Sequence, residues 1–276
     1  MVLFGFGFCV TAFIGYRGLE WLSRFAVPAM IILVAVSMAI ATSDAGGLGG
    51  LLAITPTDEM TMAAAITLVF GTFVSGGTQA TNWTRFAKSG KTAVIATLAA
   101  FFLGNGLMTL IGAFGALVYQ QADIVDIMVA QGLATLGILM LFLNLWTTQD
   151  NTVYNFAVAG CNLIRTRRRK AVTIGGAAIG TVLAVMGMYE WLIPFLVLLG
   201  TFIPPIGGVI MASYFVGYKR QYPDLREVTL PAFNVPGLAA YAIGSAAAYT
   251  SPWIAPIVGV VVAAISYSVI LVINEG

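Results

Sequence analysis

Ile164-Arg165-Thr166-Arg167-Arg168-Arg169-Lys170-Ala171 separates two long apolar stretches and places five basic residues in six positions. Outward from it the chain repeats the pattern. Arg17 and Arg24 occupy an earlier gap between apolar runs, Arg85, Lys88 and Lys91 another, and Lys219, Arg220 and Arg226 a later one. The gaps between these hold Asp44, Asp58 and Glu59, then Asp123 and Asp126, then Glu190, with no Lys or Arg among them. Translocating Lys and Arg across a bilayer is disfavoured, so all 13 basic residues mark one side. The alternation predicts an all-α polytopic membrane protein whose basic loops and C-terminus face the cytoplasm.

Composition narrows the class. With 59% hydrophobic and 9% charged residues, most of the surface is expected to meet lipid. The net charge of +2 arises in loops of one side, so it speaks for orientation and against nucleic acid as a partner. There is no histidine, and Cys9 and Cys161 stand far apart, which leaves zinc, haem or iron–sulfur chemistry almost no ligands. The sequence also lacks a Gly-x-Ser-x-Gly elbow and paired carboxylates suited to acid–base work, so neither an enzyme nor a cofactor is expected.

A helix needs about 20 apolar residues to cross the hydrocarbon core. Nine segments approach that length: 2–16, 22–42, 60–84, 91–119, 136–163, 171–189, 191–217, 234–250 and 253–273. The stretch 124–134 is expected as a short interfacial helix, and 1–276 as one transmembrane domain. An odd number of crossings with the C-terminus inside puts Met1 outside, directly before a short first segment. The expectation is therefore the C-terminal part of a longer protein, with a complete nine-helix protein as the alternative.

Helical order is expected to fail at two places. Gly71-Thr-Phe-Val-Ser-Gly76-Gly77-Thr78 sets two adjacent glycines in the middle of the third segment, and Gly200-Thr-Phe-Ile-Pro204-Pro205-Ile-Gly207-Gly208 sets two prolines in the seventh. Irregular backbone at membrane depth is tolerated only where protein buries it or a wet cavity exposes it, so freed amides and carbonyls become binding groups. The alternative at the glycines is a close helix–helix contact through small residues, and at the prolines a plain structural kink.

The fifth segment carries Asn144-Leu-Trp-Thr147-Thr148-Gln149-Asp150-Asn151 and then Asn155. At about 100° per residue, Asn144, Thr147, Thr148, Asn151 and Asn155 share a face, with Gln149 and Asp150 expected to flank it. A backbone carbonyl at Asn144 with hydroxyls three and four positions later gathers hard oxygen donors, a set suited to sodium. Threonines can instead bond their own helix and asparagines can join helices. Intramembrane polar residues at this density, a carboxylate included, point to an ion site or cavity.

These residues resemble the nucleobase–cation symporters of the first type, most closely the bacterial cytosine permeases. The resemblance rests on Phe-Val-Ser-Gly-Gly-Thr (73–78) followed by Arg85-Phe86, on Phe-Phe-Leu-Gly-Asn (101–105), on Ala130-Gln131-Gly132, on 144–151, and on Ile-Pro-Pro-Ile-Gly-Gly-Val-Ile (203–210). It implies the leucine-transporter fold with inverted repeats, of which this chain would hold helices four to twelve of twelve, the N-terminal helices being its missing partner. It implies a multi-pass protein of the bacterial inner membrane that imports a nucleobase, most closely cytosine, with sodium as coupling ion. Related ligands such as a purine, allantoin or a hydantoin, or a nonfunctional fragment, are the other expectations.

Residue by residue, the resemblance makes the Asn144 carbonyl and the Thr147 and Thr148 hydroxyls a sodium half-site. Phe73 becomes one wall of an aromatic sandwich, with Ser75 and the amide region of Gly76 at the base edge. Gln149 stands where relatives commonly have Asn, as a substrate-side amide, with Asp150 and Asn151 beside it. Gly77, Pro204, Pro205 and Gly207 fall at the expected kinks. Ser213 departs from the acidic residue usual after the proline kink.

Overall fold

The computed structural model describes residues 2–55, 60–121, 123–224 and 233–275. Asp58, Glu59 and Arg226, which entered the charge argument, lie outside these residues. The helices in chain order are α1 (Val2–Gly7), α2 (Val10–Ile14), α3 (Tyr16–Asp44), α4 (Gly47–Ala53), α5 (Met62–Gln79), α6 (Thr81–Thr84) and α7 (Gly90–Leu98). A π-helical stretch, Ala99–Asn105, joins α7 to α8 (Gly106–Tyr119). Then come α9 (Ile124–Ala130), α10 (Ala134–Leu163), α11 (Arg169–Val185), α12 (Leu192–Phe202), α13 (Pro204–Ala212), α14 (Val235–Thr250) and α15 (Ala255–Glu275). Among the described residues there is no strand. Helix satisfies every backbone group within its own segment, which lipid requires.

Each of the nine expected segments has a helical counterpart, and α9 is the short helix expected before the fifth. Among the described residues, five runs are long and apolar enough to cross a membrane: Arg17–Asp44, Met62–Thr84, Gly90–Tyr119, Leu192–Gly217 and Ala255–Ile273. The other four fall short for separate reasons. The first is split at Phe8 and Cys9, after two glycines that weaken helix. The fifth has 30 residues but is diluted by its polar run, and α11 and α14 have only 17 and 16 residues.

The described chain gathers into two compact units, interleaved in sequence. The first comprises 1–57 and 98–189. Its α10 packs against α2, α3, α9 and α11. One apolar cluster joins Cys9, Ala12, Val153, Tyr154 and Ala177, and another joins Leu33, Val34, Ile111, Met128 and Met140. Asp123 caps α9 by accepting from the Val125 amide at 2.7 Å. Behind α9, the Gln131 amide donates to the Ser37 carbonyl at 2.9 Å and to the Tyr119 hydroxyl at 3.2 Å, and Tyr119 in turn bonds Asp44.

The second unit comprises 58–97 and 190–276. Here helices approach through glycine. A Cβ at Gly71 of α5 would collide with the Leu196 carbonyl of α12, and one at Gly200 of α12 with the Thr67 carbonyl of α5. Gly208 of α13 likewise meets the Val260 carbonyl of α15. Lipid supplies no hydrophobic drive between helices, so close backbone contact through small residues carries the association.

Candidate functional site

The predicted residues divide between the units. Asn144, Thr147, Thr148, Gln149, Asp150 and Asn151 all lie on α10 in the first. Phe73, Ser75, Gly76, Gly77, Pro204, Pro205 and Gly207 lie on α5 and α13 in the second.

On α10 the Thr147 hydroxyl donates to the Leu143 carbonyl at 2.9 Å and to the Asn144 carbonyl at 3.1 Å. The hydroxyl thus back-bonds its own helix, the alternative that the sequence also allowed, and lies beside two carbonyls, one of them that of Asn144. A hydroxyl that donates its one proton keeps its lone pairs. Thr148 is exposed beside this group, Asn144 is half-buried, and Asn151 accepts from the Asn155 side chain at 3.3 Å.

Gln149 and Asp150 are placed otherwise than expected. They do not flank the Asn144 face. At about 140° and 240° around the helix from Asn144 they lie on its far side, together with Trp146. That side meets α1 and α2. The Gln149 amide donates to the Gly5 carbonyl at 3.0 Å and contacts Cys9 Sγ at 3.7 Å. Trp146 Nε1 donates to Thr11 Oγ1 at 3.1 Å, and Thr11 lies beside the Asp150 carboxylate. Asp150 is 1% exposed, and its Oδ1 is buried without a hydrogen-bond partner. The Trp146 ring also stacks on Phe8, centroids 5.9 Å apart. Thr11, Cys9 and Phe8 were not singled out from sequence. The helical angle of Gln149 and Asp150 was the signal that could have led to them.

In the second unit the break expected at Gly76-Gly77 does not occur. Helix α5 runs unbroken from Met62 to Gln79 and turns only at Ala80. A helical glycine costs about 1 kcal/mol relative to alanine, whereas opening backbone to lipid costs several kcal/mol per unpaired group. Gly77 is therefore not a kink here. Gly76 serves a different end: the Phe73 ring lies against it, and a Cβ there would stand 2.9 Å from Phe73 Cε1. Ser75 is half-buried, and its carbonyl accepts from the Thr78 hydroxyl at 2.8 Å.

The break at the prolines is present. Helix stops at Phe202 and restarts at Pro204, with Pro204 and Pro205 both buried. Gly207, by contrast, has open space where a Cβ would be. A cavity of about 500 Å³ in this unit is lined by Thr67, Val197, Thr201, Tyr249 and Trp253 among others, and by none of the predicted residues.

A helical membrane protein with a proline-broken segment, glycine-mediated helix contacts and a polar patch within an apolar helix has the architecture of a secondary transporter. The chain belongs to the family of permeases for cytosine/purines, uracil, thiamine and allantoin, whose model matches residues 1–270. It is 38% identical over 261 residues to the cytosine permeases of Escherichia coli K12 and O157:H7, a match covering 95% of this chain and 62% of each relative. The chain thus spans under two thirds of their length. Among solved structures it resembles Mhp1, a nucleobase-cation-symport-1 family transporter, closed with bromovinylhydantoin bound. That TM-score is 0.78 at 20% identity, over 99% of this chain and 67% of the other. Mhp1 facing inward gives 0.71 at 19% identity, over 99% and 65%. The fold is accordingly leucine-transporter-like, in a multi-pass membrane protein.

Proposed function

We propose that this chain forms part of a sodium-coupled nucleobase symporter of the bacterial inner membrane, with cytosine as substrate and its C-terminus in the cytoplasm. The observation that carries the reading is the convergence of the Asn144 carbonyl and the Thr147 hydroxyl, 3.1 Å apart, beside the exposed Thr148. Oxygens without charge, gathered at membrane depth, favour a hard monovalent cation. Family membership and the name of the relatives support the nucleobase, and Phe73, packed against Gly76, is the ring on which it stacks. Ser75 and the Gly76 region contribute polar contacts. The helix break at Pro204 and Pro205, with Gly207 one turn on, serves movement between states. Sodium drives transport only through unequal affinity for those states.

The test is uptake of radiolabelled cytosine by a full-length permease carrying this sequence, in cells without their own permease. Uptake that rises with sodium and is competed by unlabelled cytosine more strongly than by uracil, hypoxanthine or hydantoin is expected. Sodium-independent uptake refutes the coupling, and stronger competition by another ligand reassigns the substrate.

A further inference from the structure

We propose that the first unit holds a specific site for an anionic phospholipid, with an acyl chain in the groove between α2 and α11 and the headgroup at Lys170, Arg167 and Arg168. The groove has a volume of about 150 Å³. Its floor is Cys9, Thr173 and Ala177, all buried, and its walls include Phe13 and Ile174, both exposed. The floor is mostly apolar and its donors are already used: the Thr173 hydroxyl donates to the Arg169 carbonyl at 2.9 Å and the Cys9 thiol to the Gly5 carbonyl at 3.0 Å. An occupant in contact with that floor is apolar.

The end of the groove is basic. Lys170 precedes Thr173, Ile174 and Ala177 by three, four and seven residues, so all four share one stripe of α11. Its Nζ lies 4.9 Å from the ring of Phe13, which is itself a wall. Arg169 is already engaged, donating to the Ala12 and Phe13 carbonyls at 3.3 and 3.5 Å and lying over Tyr154. Lys170, Arg167 and Arg168 remain exposed, and among the described residues no carboxylate pairs with them. A ligand complementary to the whole feature is apolar along its length and negative at one end. Basic residues at a helix end attract anionic headgroups in this way.

The experiment uses the full chain, purified, delipidated and titrated with dioleoyl phosphatidylglycerol or dioleoyl phosphatidylcholine, with retained lipid counted by native mass spectrometry. Retention of one phosphatidylglycerol per chain at a concentration about tenfold below that needed for phosphatidylcholine is expected. The combined Lys170→Gln, Arg167→Gln and Arg168→Gln variant should lose that preference. Ile174→Trp, which fills the groove from an exposed wall, should lower retention with the charges intact. Lys88→Gln with Lys91→Gln should leave it unchanged. Equal retention of the two lipids, or equal loss in the Lys88 and Lys91 variant, overturns the site. So does displacement of the lipid by excess inorganic phosphate with no effect of Ile174→Trp, since that describes a phosphate site with no use for the groove.

Discussion

Gly76 leaves room for the ring of Phe73 to pack against its own helix, and the two residues act together. Phe73→Ala should weaken nucleobase binding by roughly 1–3 kcal/mol, the scale of base–aromatic stacking, while Phe73→Trp keeps much of it. Gly76→Ala should also weaken binding, because its Cβ displaces the ring without removing it. Equilibrium binding of labelled cytosine to the full-length variants checks all three; equal affinity for Phe73→Ala would make the ring mere packing. On α10, Thr148→Ala deletes one exposed oxygen of the proposed cation group. It should raise the sodium concentration at half-maximal binding and leave affinity in saturating sodium nearly unchanged, as a titration of substrate binding against sodium would report.

Among the elements, α5 and α12 cross at Gly71 and Gly200, and overpacking such a contact costs about 1–3 kcal/mol. Gly200→Ala should therefore lower the melting temperature. Gly207→Ala should raise it, since a Cβ there meets nothing and alanine favours helix by about 1 kcal/mol. Reversal of that order in a thermal melt would contradict the crossing. These elements also mark what the sequence could convey. Segment positions were readable because lipid forces apolar runs into helix, and the break before Pro204 because proline removes a donor whatever its neighbours are. Continuity through Gly76-Gly77 was not readable, since it depends on what α5 meets. The Thr147 hydroxyl beside the Asn144 carbonyl was readable because a threonine in a helix reaches the carbonyls three and four residues back. The turning of Gln149 toward Gly5 and of Asp150 toward Thr11 required the partner helices, and those lie about 140 residues away.

For the molecule as a whole, the charge alternation predicts an orientation that labelling can check. In a background of Cys9→Ala and Cys161→Ala, Met60→Cys and Arg167→Cys should react with an impermeant thiol reagent from opposite sides of the membrane. Reaction of both from the periplasm would refute the alternation. A second expectation concerns coupling. The oxygens described on α10 number fewer than the roughly six a hard cation takes, and the chain spans 62% of its relatives' length. Chain 1–276 alone should insert without sodium-dependent uptake, whereas a full-length permease containing it should transport; uptake by 1–276 alone would show that the site is complete within it. The interleaving of the two units bears on how the protein is made. The partner of α5 is α12, and roughly a hundred residues separate them, on the order of ten seconds of synthesis. Throughout that interval Gly71 faces no Leu196, while the first unit acquires its last helices. A chain ending at Tyr189 would hold every helix of the first unit and leave α5 without its partner.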